Sequence, residues 1–276
     1  DQVIRLSIRD SSSDGVTIEL LVDGTKPAMP TPGAGVTVEV PYALRADQQA
    51  HQQVVYAADG QGGQKIVHGY YDADQGRMVF RMEAPGSFVF KSHEVVFNDI
   101  ARVSWAKTGI EALAARGAVS GVGGGRFKPE QAVSRAELIH MLMAAMQTAD
   151  PQAASTFSDV SEKAWYYRSV ASAQQLGIVN GLADGSFGAG NAITRQDTAV
   201  ILVSLMNRLG IEPLSAQRPN EPFNDAEAIS AYAKDAVALL RQYGILNGKS
   251  GNRFAPGDTL SRAEAAVLIY NLYRIR

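Results

Sequence analysis

Three arginines in this chain occur in the same short pattern: a hydroxyl residue, the arginine, any residue and an acid. Arg135, Arg195 and Arg262 stand in Ser-Arg-Ala-Glu, Thr-Arg-Gln-Asp and Ser-Arg-Ala-Glu. The hydroxyl and the acid fit a capping box, in which each side chain satisfies a free amide at the start of a helix. The arginine then places a guanidinium fork beside helix amides, a combination that suits a carboxylate. The pattern predicts three anion-binding positions.

The arginine charge also has an explanation inside the protein. A cation at the first helical position faces the positive end of the helix dipole, which costs a few tenths of a kcal/mol. Three equivalent arginines therefore indicate that each one faces an anion, either a ligand or an acid of the same chain such as Asp99, Asp159 or Asp225. If the anion is a ligand, replacing the arginines should weaken binding and leave folding nearly intact, because the capping residues remain.

The arginine pattern belongs to a longer internal repeat. The stretch 121–146 combines a Gly-rich turn, a phenylalanine, the arginine pattern and an apolar run, and two further copies follow. Successive arginines are 60 and 67 residues apart, and Phe127, Phe187 and Phe254 have the same separations. Two landmarks that move together define a repeat.

Other residues at fixed places in the repeat are candidates for ligand contact. Tryptophans at positions 105 and 165 could stack on sugar rings, although packing against a helix is an equal alternative. The first glycine of each turn either takes a positive φ or allows a close backbone approach. Asp184 could accept a sugar hydroxyl, with an Asp-Gly turn role as the alternative. These candidates are Trp105, Trp165, Gly121, Gly181, Gly248 and Asp184.

Helical periodicity extends over the whole of each repeat. Each copy opens with Phe-x-Asp, continues into a first helix that ends near Gly117, Gly177 or Gly244, and closes with a second helix. Polar linkers at Thr148–Ser155 and Glu212–Pro222 separate the copies. Because one copy buries little apolar surface alone, we expect the second helices to pack against each other.

Residues 1–96 alternate between apolar and polar positions, as strands do. Turn residues separate the strands, for example Asp23-Gly24 and the Pro27–Gly35 stretch. About seven short strands, among them 53–57, 66–71, 77–82 and 87–91, predict an antiparallel sandwich-like module. Its aromatic residues could form a sugar platform, but core packing explains them better.

The three copies resemble the S-layer homology domain, which occurs as triplets on bacterial cell-surface proteins. The resemblance rests on Phe-x-Asp, Gly-x-x-Asp-Gly-x-Phe and Ile-Thr-Arg-x-Asp/Glu, and places repeats at about 97–147, 157–209 and 223–275. It implies an all-α pseudo-trimer with grooves that bind secondary cell-wall polysaccharide carrying pyruvylated amino sugar. Residues 1–96 resemble the small β-module that often precedes such triplets. The expected fold class is thus α+β multidomain, with a β-sandwich-like module before the helical triplet at 97–276.

The composition of the chain excludes several classes of function. The 276 residues include 46% hydrophobic and 20% charged residues. The chain has no cysteine, which excludes thiol chemistry. Its formal charge of −2 is not that of a nucleic-acid-binding protein, which needs clustered Lys and Arg. The four histidines lack metal-ligand spacing, and no apolar run reaches the length of a membrane span. We expect no catalytic residue, cofactor or metal. Because the first residue is Asp1, we expect a mature or excised fragment.

We therefore expect an extracellular, non-enzymatic chain that attaches a surface protein non-covalently to the bacterial cell wall or S-layer. Its expected partner is a pyruvylated secondary cell-wall polysaccharide, with peptidoglycan-linked glycan as a further partner. One alternative is a fragment of a cell-wall-anchored carbohydrate-active enzyme whose β-module binds substrate polysaccharide. Another is a purely structural subunit of a surface array.

Overall fold

The computed structural model describes residues 4–12, 14–22, 35–59, 61–212 and 221–275. They form two compact units, of which the first ends at Val95 and the second begins at Val96. We call the first unit the β-module and the second the triplet. The predicted turn at Asp23-Gly24, most of the Pro27–Gly35 stretch and most of the Glu212–Pro222 linker lie outside the described residues.

The β-module consists of two antiparallel sheets. One sheet has the order β1-β2-β8-β4-β5 and the other the order β3-β7-β6, and every pairing between neighbours is antiparallel. The strands are β1 Ile4–Ser12, β2 Gly15–Val22, β3 Val36–Pro41, β4 Gln53–Ala58, β5 Gln64–Val67, β6 Gly69–Asp72, β7 Arg77–Met82 and β8 Gly86–Ser92.

The segment predicted as one strand at 66–71 is two strands in different sheets. β5 pairs with β4, whereas β6 pairs with β7, so the chain changes sheet at His68. A Cβ on Gly69 would lie 2.7 Å from both the Phe80 Cβ and the Val55 Cγ2 atoms. The change of sheet therefore needs a residue without a side chain, a requirement that alternation of apolar residues does not reveal.

Side chains from both sheets share one hydrophobic core. Period-2 alternation turns Val16 and Ile18 of one sheet towards Val38 and Val40 of the other, as expected for a strand with one buried face. The three phenylalanines proposed for a sugar platform, Phe80, Phe88 and Phe90, belong to this core. Core packing is therefore confirmed for these three rings.

The triplet consists of short helices, two α-helices to each repeat. In every repeat a glycine with a positive φ follows the first helix, at Gly117, Gly177 and Gly244, as predicted for a left-handed terminator. The helices are α1 Ser104–Ala115, α2 Arg135–Met146, α3 Tyr167–Gln175, α4 Arg195–Leu209, α5 Lys234–Gln242 and α6 Arg262–Tyr273.

The main helix contacts join successive repeats. The second helix of one repeat packs on the first helix of the next, α2 on α3 and α4 on α5, and α1 packs on α6. Gly109 allows that last contact, because a Cβ there would lie 3.3 Å from the Ala266 carbonyl oxygen. Among the second helices the extensive contact is α2 with α6. The expectation that all second helices pack mainly on each other was therefore only partly right.

The Phe-x-Asp opening of each repeat fixes the Gly-rich turn. The Asp99 carboxylate accepts hydrogen bonds of 2.8 Å from the amides of Phe127 and Lys128, and the Phe97 and Phe127 ring centroids are 5.3 Å apart. Asp225 bonds in the same way to the amides of Phe254 and Ala255, and Asp159 accepts from the amides of Phe187 and Ala189. Burial opposes ionisation of these carboxylates, but the amide hydrogen bonds outweigh it and lower their pKa values.

Candidate functional site

A ring of backbone hydrogen bonds joins the three repeats just before their second helices. The Val133 amide donates to the Leu260 carbonyl (2.8 Å), Leu260 to Ile193 (2.9 Å) and Ile193 back to Val133 (3.2 Å). Each donor and acceptor belongs to a different repeat. The three second helices therefore begin around one closed ring, which places the three arginines at equivalent positions.

The amides at the starts of these helices are already bonded. In α2 the Arg135 amide donates to the Asn191 carbonyl (2.8 Å), the Ala136 amide to Ala189 (3.1 Å), and the third amide to the Ser134 hydroxyl (3.2 Å). The helices α4 and α6 have the same three bonds. The expectation that the arginines lie beside unpaired helix amides is therefore wrong, because the turn of a neighbouring repeat supplies the missing acceptors.

The predicted capping residues act as caps in all three copies. The hydroxyls of Ser134, Thr194 and Ser261 each accept from the third helical amide. The reciprocal bond of a full capping box forms at Ser261, whose amide donates to the Glu264 carboxylate at 2.9 Å. The other two acids make side-chain contacts instead, which the sequence pattern did not anticipate.

Each guanidinium reaches the Gly-rich turn of the next repeat in the ring. Arg262 donates from Nε to the Phe127 carbonyl (2.9 Å) and from Nη2 to Ser120 (2.8 Å). Arg195 makes the equivalent bonds to Phe254 and Asn247, and Arg135 to Phe187 and Asn180. Each guanidinium also lies over the phenylalanine ring of that turn, with its carbon 4.5 to 5.2 Å from the ring centroid.

The third guanidinium nitrogen, Nη1, distinguishes the three copies. Arg195 Nη1 pairs with Glu264 at 2.9 Å, and Arg262 Nη1 pairs with Glu137. These acids belong to the arginine pattern of the next repeat, not to the Phe-x-Asp openings considered from the sequence. Arg135 Nη1 has no hydrogen bond or ion pair to any residue that the structure describes.

The two arginines that pair with a glutamate are also more deeply buried than Arg135. Arg195 and Arg262 are 5% and 6% exposed, whereas Arg135 is half-buried. Burial lowers the pKa of all three guanidinium groups, and for Arg195 the Glu264 carboxylate opposes that shift. Two of the three predicted anion positions are therefore occupied by an acid of the protein itself.

Asp197 takes the place of the glutamate opposite Arg135 but has other partners. Its carboxylate accepts a hydrogen bond from the Thr194 hydroxyl (2.6 Å) and another from the Tyr232 hydroxyl (2.6 Å). Burial of the phenol and then the bond to Asp197 raise the pKa of Tyr232 to about 12. The Tyr232 phenol therefore stays protonated and keeps donating to Asp197 at neutral pH.

An exposed aromatic ring lies beside each arginine and acid. Trp105 lines a cleft of about 230 Å³ with Arg195, Glu264, Asn247 and Lys249. We call this cleft the Trp105 groove. The tryptophan is 59% exposed, which rules out burial against a helix as its main role.

The other two grooves are defined by the equivalent residues of the other repeats. The Trp165 groove contains Arg262, Glu137 and His140, whose ring is 4.7 Å from the Trp165 ring. The Tyr232 groove contains Arg135 and Asp197. Trp165 and Tyr232 are 64% and 60% exposed. Each groove thus combines a guanidinium, an acid and an exposed ring from three different repeats.

The first glycine of each turn is required by close packing. A Cβ on Gly181 would lie 2.7 Å from the Phe157 Cε1 atom and 2.9 Å from the Ser186 carbonyl oxygen. Gly121 and Gly248 face the equivalent atoms, and none of the three has a positive φ. Of the two explanations offered from sequence, close approach is confirmed.

Asp184 lies in the exposed turn of the second repeat. Its Oδ1 atom accepts from the Ser186 hydroxyl (2.6 Å) and the Ser186 amide (2.9 Å), bonds that lower the pKa of the carboxyl. This geometry is that of a turn-stabilising aspartate. Lys249 is a groove residue that sequence reasoning missed, although it directly follows Gly248.

A model of the S-layer homology domain matches residues 96–139, 156–199 and 222–266. Each matched segment contains one Phe-x-Asp opening, one Gly-rich turn and one of the three arginines. This region of the chain belongs to the S-layer homology family. S-layer homology domains anchor surface proteins to the cell wall, and the family places this chain at the cell surface.

Relatives with S-layer homology similarity include enzymes and surface-layer proteins. The amylopullulanase of Thermoanaerobacterium thermosulfurigenes is 29% identical over 98% of this chain and 15% of its own length. Exoglucanase XynX of Acetivibrio thermocellus is 36% identical over 64% of this chain and 16% of its own length. The S-layer protein sap of Bacillus anthracis is 29% identical over 63% of this chain and 20% of its own length. The chain thus spans a fifth or less of these relatives.

The described residues also bear on two other classes of site. Within them, no group of three or more His, Asp and Glu side chains is placed to hold a metal ion. None of the described helices combines the length and apolar character that crossing a membrane requires.

Proposed function

We propose that the chain attaches a surface protein to the bacterial cell wall by binding pyruvylated secondary cell-wall polysaccharide in the three grooves. The observation that carries the proposal is the repeated juxtaposition of a guanidinium and an exposed aromatic ring in each groove. Sugar rings stack on aromatic faces, and a pyruvate ketal supplies a carboxylate that suits a guanidinium. Peptidoglycan-linked glycan is a further proposed partner.

The proposal includes a domain organisation. We infer a β-sandwich-like module at 1–96 and a triplet at 97–276 with repeats at about 97–147, 157–209 and 223–275. The closed ring of backbone hydrogen bonds and the packing of α1 on α6 support a pseudo-trimeric arrangement of the repeats. In such an arrangement every groove is built by more than one repeat, so an isolated repeat would contain no complete site.

We assign specific contacts within each groove. Arg135, Arg195 and Arg262 would hold the ligand carboxylate, while Trp105 and Trp165 would stack on its sugar rings. The turns that begin at Gly121, Gly181 and Gly248 would form the groove wall. Asp184 would accept a sugar hydroxyl only through its second carboxylate oxygen, because Ser186 occupies Oδ1. We assign no catalytic step to any of these residues.

The test is retention of the full chain on purified sacculi before and after acid removal of the secondary polymer. We expect retention on untreated sacculi and its loss after treatment. A double replacement of Trp105 and Trp165 by alanine should reduce retention, whereas Val36→Ala should not. Val36 is a matched control because it is also half exposed and apolar but lies in the β-module. Retention that is indifferent to acid treatment would favour a peptidoglycan binder instead.

A second candidate applies to a longer protein of which this chain is a part. The similarity to the amylopullulanase covers 98% of the chain and therefore includes the β-module. This extent favours a wall-anchored carbohydrate-active enzyme whose β-module binds substrate polysaccharide. Full-length chain with both tryptophans replaced should then still sediment with insoluble starch or xylan. Failure to sediment with either would remove this candidate.

A further inference from the structure

The three grooves differ in whether their guanidinium is already paired. In the Trp105 groove, Arg195 pairs with Glu264, and Lys249 lies 2.7 Å from Asp258 and 3.6 Å from Glu264. In the Trp165 groove, Arg262 pairs with Glu137. A ligand carboxylate entering either groove must displace a glutamate that is itself mostly buried. Separating such a pair leaves an uncompensated charge and is unfavourable.

The Tyr232 groove has no such pair. Asp197 is one methylene shorter than the glutamates, and two hydroxyls from Thr194 and Tyr232 hold its carboxylate. Arg135 keeps its two bonds to turn carbonyls, and its Nη1 atom is open to solvent. An anion can therefore bind there without displacing a protein carboxylate.

The aromatic wall of this groove also remains available. The Tyr232 hydroxyl is directed to Asp197, yet its ring stays 60% exposed and can stack on a sugar. The Tyr232 side chain thus bonds Asp197, whose charge acts on Arg135 without a direct ion pair, and keeps the platform that the tryptophans provide elsewhere.

We propose that the Tyr232 groove is the principal carboxylate-binding groove of the triplet, and that Asp197 and Tyr232 determine this preference. The proposal rests on the proposed function for its ligand, but it makes a separate claim about which groove an anion enters first. The Trp105 and Trp165 grooves then act as weaker sites whose occupation requires an ion pair to open.

The structure offers a matched pair of variants. Asp197→Glu adds the missing methylene, which should let the acid pair with Arg135 and close the groove to anions. Glu264→Asp does the reverse in the Trp105 groove and should free Arg195 Nη1. Both changes keep the charge. Thermal unfolding of Asp197→Glu should stay close to that of the parent, whereas Glu264→Asp separates the pair with Arg195 and should unfold at a lower temperature.

The first measurement is an NMR titration of the full chain with pyruvate alone. It follows the Nε–H resonances of Arg135, Arg195 and Arg262. We expect the Arg135 resonance to respond at a concentration at least about tenfold below the other two. In Asp197→Glu, the Arg135 resonance should respond only at the higher concentration of the other two. In Glu264→Asp, the Arg195 resonance should respond at the same concentration as that of Arg135. An equal response of all three arginines in the parent, or an unchanged Arg135 response in Asp197→Glu, would overturn the proposal.

The second measurement separates this proposal from the proposed function. Calorimetric titration uses the methyl glycoside of a pyruvate-ketal N-acetylhexosamine and its unpyruvylated counterpart. We expect one tight site in the parent that Asp197→Glu weakens by about tenfold or more. If pyruvate selects Arg135 but the glycoside does not bind, the glycan assignment fails and the groove preference stands. If the glycoside binds tightly and Asp197→Glu leaves that affinity unchanged, the groove preference fails and the glycan assignment stands.

Discussion

Replacing Arg262 with alanine should destabilise the triplet by about 4 kcal/mol, because this side chain joins the last repeat to the first. Its guanidinium donates to the carbonyls of Phe127 and Ser120, which are 135 and 142 residues away, and pairs with Glu137. The variant should therefore open the ring of repeats at the point where its ends meet.

The magnitude follows from the groups that the substitution leaves behind. Glu137 has a side chain only 16% exposed, and removing one partner of a buried ion pair costs about 3–5 kcal/mol. Each hydrogen bond to a charged group contributes about 1.5–3 kcal/mol. These contributions overlap because one guanidinium makes all the contacts, so we expect a total near the middle of the ion-pair range. That loss is a large fraction of the roughly 5–15 kcal/mol typical of native proteins.

The assay is urea unfolding followed by tryptophan fluorescence. The chain has two tryptophans, Trp105 and Trp165, and both lie in the triplet, so the signal reports on that unit alone. Arg135→Ala is the matched control because Arg135 makes the two carbonyl bonds without an ion pair, and it should cost about 2 kcal/mol. Arg262→Lys keeps a charge near Glu137 but loses the fork, and should fall between the parent and Arg262→Ala.

Two outcomes of the urea unfolding measurements would refute this reasoning. If Arg262→Ala unfolds within about 0.5 kcal/mol of the parent, as an ordinary surface substitution would, the guanidinium does not hold the repeats together. If Arg135→Ala costs as much as Arg262→Ala, the ion pair to Glu137 contributes nothing. If both alanine variants unfold like the parent, the sequence-based expectation that these arginines can be removed without harm to folding is right.

Two further predictions concern the turns. Gly248→Ala should cost about 1–3 kcal/mol in the same urea assay, because its Cβ would lie 2.9 Å from the Phe223 Cε1 atom, whereas Gly257→Ala meets nothing within 4 Å and should be neutral. The carboxylate of Asp159 has a lowered pKa in the folded state, so its stabilising effect is present above the unfolded pKa of about 3.9 and is lost as pH falls through the folded value. Urea midpoints between pH 6 and pH 2.5 should thus fall less steeply in Asp159→Asn than in the parent, and parallel curves would contradict this assignment.

Much of the triplet could be predicted because its signals are local. A hydroxyl three residues before an acid marks a helix start, and a glycine after an apolar stripe marks a helix end. Ser261 and Gly177 are placed as these rules require. The repeat itself follows from equal spacings, which need no knowledge of the fold.

The partners of the arginines could not be predicted because they are not local. Arg195 bonds to carbonyls 52 and 59 residues away, and backbone carbonyls carry no sequence signal at all. The acids that pair with Arg195 and Arg262 are visible in the sequence, but each arginine has a nearer acid in its own repeat, so spacing alone favours the wrong pairing. The second copy has Asp197 where the other two have glutamate, yet the consequence for Arg135 appears only once Tyr232 is placed beside it.

Fold closure and the proposed ligand binding use different edges of each guanidinium. In all three copies Nε and Nη2 donate to carbonyls of the next turn, so that edge serves the closed ring. Nη1 takes no part in those bonds, and its partner varies from a glutamate to none among the described residues. A planar fork with five donors can serve both purposes, whereas a lysine ammonium cannot. Under the proposed groove preference, the three repeats keep the arginine for folding, while the facing acid, Asp197 in place of a glutamate, sets which groove remains open to an anion.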